Sequence, residues 1–309
     1  MVKLTAGGVA RNIADALGKL MPNSPPTFIS AIGNDSVGHL LWKSIQHVDS
    51  NCVIKSGQNS SFLLVLLDQQ RDCAVSIGDM SINGCITPEK VMKNEEVFGN
   101  CSLIVLDANL SEDTISCILT LAQEKHIPVW LEPTDPCIAT KPFHVTRSPD
   151  QIHYCSPNLQ ELQKIVSYLN GTPISNISAN KNDVNEVITE ARDLSLRLLP
   201  LIPNMMVTLS RHGILMVTLK QDKPKATYYK AIELNSIENV SGVGDCLASG
   251  YIAAMLNGCA ESDCVRVGLN AAVQSLLSLQ TVPDGLRYGV IEKPVSSIEI
   301  PLTGEVNVG

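Results

Sequence analysis

The sequence predicts an α/β fold: a doubly wound, mostly parallel sheet with helices on both faces and a small β lid. Three observations lead there. Short, continuously apolar runs alternate with helical stretches from about residue 101 onward. Two helices open on bare glycine turns, one at Gly7 and Gly8, the other at Gly242 and Gly244. One stretch, approximately residues 53–82, holds two strand-like runs, FLLVLLD and CAVSIGDM, with no helix between them.

In order, the chain opens on AGGVARNIADALGKL, a glycine turn followed by a helix. Residues 1–5 are too few for a well-anchored strand, although a doubly wound domain normally begins with one. Either a piece is missing or the chain enters the sheet unusually. The two runs near 53–82 read as an antiparallel lid over one edge of the main sheet. CSLIVLD is a buried strand, and Ser111 then opens the helix SEDTISCILTLAQEKH with acids in its first turn. VWLEP is the next strand, IHYCSPN the one after, ending at Pro157. Asn158 begins the helix NLQELQKIVSYLNG, which stops at Gly171, and NDVNEVITEARDLSLRLL follows as a second helix. Between these two, ISNISANKN is a polar loop. MMVTLS and ILMVTL are strands joined by a tight turn at Arg211, His212 and Gly213. The Gly244 helix and a long helix from Ser262 to Leu279 complete a single domain spanning 1–309.

Composition narrows the function. The formal net charge of -8 argues against a nucleic-acid-binding surface but leaves room for a small anion held locally. The 10 Cys show neither a CxxC pair nor a zinc spacing, so free thiols in a reducing intracellular compartment are expected, cytoplasmic before mitochondrial or peroxisomal. No apolar run reaches the roughly 20 residues that span a bilayer. Aromatics are only 4%, so the core is built from aliphatics.

The segment SGVGDCLASG is the most informative. Gly242, Val243 and Gly244 leave backbone N–H groups bare at a helix N-terminus, which is an anion site. Asp245 is out of place there unless it caps the helix or takes a proton from a nucleophile that attacks a phosphate. The segment leaves both readings open. No GxxxxGK[ST] occurs, and SGVGDCLASG fails GxGxxG because position 247 is Leu. No G-x-S-x-G elbow or HExxH pair stands out. Gly7, Gly8 and Asn12 form a second glycine turn that a ligand could approach. Asn158 and Glu161 share one helix face at i, i+3 and could hold a hydrated Mg²⁺, or Asn158 could simply cap its helix.

Taken together, GGxxxN, AIGNDSVG, PNLQE and GVGD, in that order, resemble the PfkB, or ribokinase-like, family of sugar and nucleoside kinases, from Ala6 to about Pro283. The resemblance implies a sheet-end cleft for ATP and a sugar hydroxyl. It implies that Gly242, Val243 and Gly244 form the anion hole and that Asp245 is the base. By the same resemblance Asn158 and Glu161 place Mg²⁺ through water, Thr208, Ser210 and Gly213 run beside the nucleotide, and Asn270 faces adenine. Asn239 and Ser241 match a loop that binds a monovalent cation, K⁺ in many members, although the family usually has Asp at the first of these positions.

GGVARNIADALGKL, LDANLS, WLEPTD and IGDM are similar to the pseudouridine kinase branch. That likeness implies transfer to the 5′-hydroxyl of pseudouridine, with Gly8, Asn12 and Asn109 meeting the ribose, Asp107 and Glu132 ending strands at the cleft, and Asp79 and Met80 coming down from the lid. It also implies coupling to a pseudouridine-5′-phosphate glycosidase, and the apolar FLLVLLD allows a homodimer through paired lids. A ribokinase-like or adenosine-kinase-like acceptor is the alternative. The family's first strand, and the Asp it carries, lie before GGxxxN, where this chain has no room for them. A truncated, non-catalytic form that acts only by binding is therefore also expected as a possibility.

Overall fold

The computed structural model describes residues 4–67, 73–149, 151–171, 183–291 and 295–308. Chain order begins with α1 (Val9–Leu20), β1 (Ser30–Gly33), α2 (Ser36–Ser44) and β2 (Val53–Ser56). Next come β3 (Phe62–Leu67), β4 (Cys73–Asp79), the short helices α3 (Pro88–Met92) and α4 (Glu95–Phe98), β5 (Ile104–Asp107), α5 (Glu112–Glu124) and β6 (Val129–Glu132). Then follow α6 (Lys141–Val145), β7 (Tyr154–Cys155), α7 (Leu159–Asn170), α8 (Val184–Leu198), β8 (Asn204–Thr208), β9 (Gly213–Lys220) and β10 (Lys223–Lys230). The last elements are α9 (Val243–Leu256), α10 (Glu261–Leu276) and β11 (Ser297–Ile300).

Seven strands form the central sheet, in the order β11-β10-β9-β8-β7-β6-β5. The four from β5 to β8 run parallel, joined by the helical crossovers that parallel pairing requires. β9, β10 and β11 extend the sheet antiparallel. Alternation along the strands divides the interior into two cores, because successive side chains point to opposite faces. In β8 and β9, Met205, Val207, Leu215 and Val217 pack on the side of α5, α7 and α8. Met206, Ile214 and Met216 pack on the side of α1, α9 and α10. Each fully buried aliphatic contributes about 1.5–3 kcal/mol from area removed from water. The chain is thus an α/β protein with helices on both faces of one sheet.

Local chemistry explains the element ends. Ser111 Oγ accepts from Thr114 N–H at the start of α5. Asp183 Oδ1 accepts from Asn185 and Glu186 N–H at the start of α8. Gly171 ends α7 in the left-handed region at φ 64°, which glycine adopts without steric cost. The turn between β8 and β9 is held by Leu209 N–H donating to Gly213 O.

Two small sheets stand apart. β3 and β4 form an antiparallel ribbon that begins at Phe62. Val53–Ser56 lies outside this ribbon and pairs parallel with β1, so a lid drawn from residue 53 starts one strand too early. Its partner, β1, lies 23 residues earlier in register, Ser30 opposite Val53. The ribbon leaves Phe62, Leu63, Leu64, Val65, Val75 and Ile77 exposed, on both of its faces. Among the described residues, β1 pairs only with β2, and β5 only with β6. Their remaining edges line one cleft of about 1620 Å³, together with the start of α1 and the start of α9.

The cysteines whose side chains are described are all free. Among the described residues, no helix is long and apolar enough to cross a membrane. The polar stretch ISNISANKN lies outside the described residues.

Candidate active site

The site begins where α9 begins. Gly242 is the N-cap, at φ 78°, and a Cβ there would lie 2.4 Å from Thr281 Cγ2 and 2.7 Å from Thr281 O. Only glycine fits that conformation and that space. The first helical bond runs from Cys246 N–H to Gly242 O, so the N–H groups of Val243, Gly244 and Asp245 precede it. Gly244 has open space where a side chain would start, and it lines the cleft. No side chain caps this helix. Asp245 therefore is not the capping residue.

Asp245 instead reaches across to α1. Asn12 Nδ2 donates to Asp245 Oδ2 at 2.6 Å. Burial raises the Asp245 carboxyl to about 6, while the Asn12 hydrogen bond and the Arg11 charge lower it and the Asp107 carboxylate raises it. A carboxylate with that affinity is ionised at pH 7 yet basic enough to accept a proton in a transition state. Asn12 is itself buried, and its Oδ1 accepts a close hydrogen bond from Arg11 Nη2. Both ends of the Asn12 amide are thus committed within the protein.

Asp107 ends β5 at the same cleft. Its Oδ2 accepts from Ala10 N–H at 3.3 Å, at the start of α1, and from Asn109 Nδ2 at 3.0 Å. Asn109 N–H donates to Oδ1 at 3.1 Å. Burial raises this carboxyl as well, partly offset by these bonds and by Lys141. Gly8, the N-cap of α1 at φ 99°, lines the cleft with Asn109.

Glu132 ends β6 but turns inward. Its Oε1 accepts from Trp130 Nε1 at 2.8 Å and makes a close hydrogen bond with Ser156 Oγ. Trp130, 1% exposed, stacks on Tyr154 with ring centroids 5.4 Å apart. Burial holds the Glu132 carboxyl well above the usual carboxylate range. Its side chain is engaged by Trp130 and Ser156 rather than by the cleft.

Asn158 and Glu161 form a reciprocal capping box. Asn158 Oδ1 accepts from Glu161 N–H at 2.9 Å, and Glu161 Oε2 accepts from Asn158 N–H at 2.8 Å. Burial lifts Glu161 to about 7, with Asp135 and Asp245 adding to the rise. Asn158 lines the cleft. Among the described residues, no group of three His, Cys, Asp or Glu is placed to hold a metal ion. A hydrated Mg²⁺ carried by phosphates needs only one or two protein oxygens, which Asn158 and Glu161 can supply through water.

Of the other expected residues, Met80 and Ser241 also line the cleft and the rest lie farther out. Thr208 bridges to Asn158 at the end of β8, and Ser210 and Gly213 form the next turn at positive φ, 54° and 112°. Asn270 sits on α10, where its Nδ2 donates to Gly289 O at 3.0 Å. Asn239 Oδ1 accepts from Ser241 N–H at 3.1 Å, an Asx turn just before α9. Asp79 Oδ1 accepts from Ser81 N–H at the end of the ribbon, and Met80 lines the cleft. The structure therefore brings together Gly8, Asn12, Asp107, Asn109, Asn158 and the α9 turn. The sequence does not single out Arg11 and Ser156. The i, i+4 spacing of Arg11 and Asp15 in α1 is the signal that points to the first.

The pattern of the pfkB family carbohydrate kinases matches residues 1–284. A pseudouridine kinase of Escherichia coli (strain K12) is 30% identical, the match covering 89% of this chain and 81% of that protein. A pseudouridine kinase of Arabidopsis thaliana is 24% identical, covering 94% and 86%. Among solved structures, an Arabidopsis thaliana ribokinase complexed with ribose and ATP superposes with a TM-score of 0.73 at 19% identity, over 92% of this chain and 86% of that one. That likeness shows the ribokinase-like fold.

Proposed function

Since the chain belongs to the pfkB family of carbohydrate kinases, phosphotransferases with an alcohol group as acceptor, we propose that it transfers the γ-phosphoryl of ATP to the 5′-hydroxyl of pseudouridine. One observation supports the chemistry most strongly. Asp245 stands at an uncapped helix N-terminus, makes no capping bond, and is aimed by Asn12. The acceptor assignment rests on similarity to two pseudouridine kinases over about nine-tenths of the chain.

In this mechanism the acceptor hydroxyl gives its proton to the Asp245 carboxylate as its oxygen attacks the γ-phosphorus. The bond to the bridging oxygen breaks, and ADP leaves with that electron pair. Charge on the transferring oxygens meets the N–H groups of Val243, Gly244 and Asp245, where the helix dipole favours it. Asn158 and Glu161 would hold, through water, an Mg²⁺ that would supply neutralisation of phosphate charge. The nucleotide passes the turn at Thr208, Ser210 and Gly213 toward Asn270, and the ribose lies near Gly8, Asp107 and Asn109. Glu132 acts from beneath, holding Trp130 and Ser156 under the acceptor. Asp79 and Met80 close the cleft from the β3–β4 ribbon, which excludes water. The Asn239–Ser241 loop is the K⁺ candidate; Asn239 Oδ1 accepts from Ser241 N–H and keeps a second lone pair.

The exposed apolar residues of β3 suit pairing with the same strand of a second copy, and a pseudouridine-5′-phosphate glycosidase would consume the product. A binding-only chain is the second reading. The unpaired edges of β1 and β5 at the cleft favour it. Incubating the purified chain with ATP and equal concentrations of pseudouridine, uridine, adenosine and ribose tests both. Preferential ADP release with pseudouridine supports the first reading. Preference for adenosine or ribose moves the acceptor, and a folded but silent chain supports the second reading.

A further inference from the structure

Arg11 is almost wholly buried, yet it is not needed to fill an apolar core. Its guanidinium makes four contacts. Nη2 donates to Ala6 O at 2.7 Å and, closely, to Asn12 Oδ1. Nε donates to Gly7 O at 3.3 Å, and Nη1 meets Asp15 Oδ2 at 3.4 Å. The fork therefore ties the glycine turn before α1 to the first two turns of that helix, a geometry that a point-charged ammonium cannot reproduce.

The contact to Asn12 has a directional consequence. An amide placed between a guanidinium and a carboxylate fits in one orientation only, with oxygen toward the cation and nitrogen toward the anion. The guanidinium has no acceptor and remains protonated, so the orientation is fixed from the Arg11 side. Asn12 Nδ2 is thereby aimed at Asp245 Oδ2, 233 residues away in sequence. Without Arg11, a flipped amide would present its oxygen to the carboxylate.

We propose that Arg11 is a positioning residue for phosphoryl transfer: through Asn12 it holds the Asp245 carboxylate in the attacking geometry and favours its ionised form. This rests on Asp245 being the base. The groups that face Asp245 are Arg11 and Asn12 from α1, Asp107 from β5, Glu132 from β6 and Glu161 from α7, with Cys246 beside it on α9. Of these, Arg11 alone carries positive charge. The Asp107 carboxylate opposes ionisation of Asp245, so removal of Arg11 leaves that opposition unbalanced. Asp15 and Lys19 form the layer behind Arg11, with Lys19 Nζ 3.0 Å from Asp15 Oδ2. That second cation keeps Asp15 paired when Arg11 is changed.

The test compares Arg11→Gln, Arg11→Lys and Asp245→Asn with the parent chain, measuring kcat and KM for pseudouridine and ATP from pH 5.5 to 9, with melting curves alongside. Arg11→Gln should lower kcat at pH 7 about 10- to 100-fold, the scale of a misaligned reacting group. Its acid limb should move up by about 0.5–1 unit, so part of the loss returns at pH 8.5. Arg11→Lys should keep the parent's acid limb but still lose kcat, because charge is retained and the fork is not. A merely structural arginine would move the melting temperature and leave the acid limb where it was. Parent kcat and parent limb in Arg11→Gln overturn the proposal, as does full kcat in Arg11→Lys. Failure of both variants to fold assigns Arg11 to structure and overturns it equally. If Asp245→Asn is fully active, the base assignment itself fails. If that variant is silent while Arg11→Gln matches the parent, only the role of Arg11 is lost.

Discussion

Gly242 and Gly244 stand two residues apart, and their replacement by alanine should have opposite consequences. At Gly244 a Cβ meets nothing within 4 Å, and the space it would enter is the cleft. Alanine is favoured over glycine in a helix by up to about 1 kcal/mol, and less in the first turn. Gly244→Ala should therefore leave the melting temperature unchanged or raise it by about 1–3 °C. The new methyl group stands where the transferring phosphoryl must approach the N–H groups of α9. Losing one such alignment costs about 10²-fold in kcat. At Gly242 the backbone is left-handed at φ 78°, which costs a non-glycine residue about 1–2 kcal/mol. The 2.4 Å and 2.7 Å approaches to Thr281 add overpacking of about 1–3 kcal/mol. Gly242→Ala should thus be destabilised by about 2–5 kcal/mol and melt roughly 4–15 °C lower. Differential scanning fluorimetry and a coupled ADP-release assay read both quantities. Parent-like turnover in Gly244→Ala would show that the α9 amides do not face the reacting phosphate. A large drop in its melting temperature would show that the space is not open.

Three further outcomes follow from the carboxyl groups. Asp245 must be ionised to accept a proton, and its carboxyl is raised to about 6, so kcat/KM should fall as pH drops through about 6; a limb near the ordinary carboxylate value would contradict this. Glu161 is raised to about 7 in the folded chain, so its contribution to stability is fully present below its unfolded value and is lost as pH rises through 7. Glu161→Gln keeps an acceptor for Asn158 N–H and should gain stability over the parent at pH 8 relative to pH 5 while losing turnover with MgATP; the opposite drift in melting temperature refutes the shift. Glu132→Gln mimics the protonated acid and should stay within about 0.5 kcal/mol of the parent in urea unfolding. Glu132→Ala should cost about 1–3 kcal/mol by leaving the Ser156 hydroxyl without its acceptor, while Trp130 Nε1 keeps Ser156 Oγ at 2.7 Å, and equal stability of these two variants would show that the Ser156–Glu132 bond does not matter.

Much of the layout was readable from sequence because local signals and tertiary packing agree. The acids after Ser111, the Asn158 cap and Gly171 mark helix ends that the structure places within a residue or two. The alternating runs around Met205 and Leu215 give two strands and a tight turn. β10 and β11 are not legible in the sequence because KPKATYYK and SIEI are half polar, as suits strands at the far end of a sheet. The pairing of β2 with β1 was hidden because pairing is a long-range choice that four residues do not encode. Within the site, Gly8 and Gly242 are legible because their positive φ, 99° and 78°, excludes most other residues. The capping box at Asn158 follows from local rules. The inward turn of Glu132 does not, because it depends on Trp130 and on Ser156, 24 residues away. Arg11 was invisible for a similar reason, since its meaning lies in Asn12 and Asp245 rather than in its own neighbours along the chain.

The most direct measurement is ATP-dependent phosphorylation of pseudouridine by the purified chain and by Asp245→Asn at pH 7.5, with product followed by mass spectrometry. Pseudouridine 5′-phosphate formed by the parent, and reduced about 10²-fold or more in the variant, is the expected result. Equal product from both proteins would remove Asp245 from the mechanism, and phosphate appearing on a different acceptor would contradict the substrate.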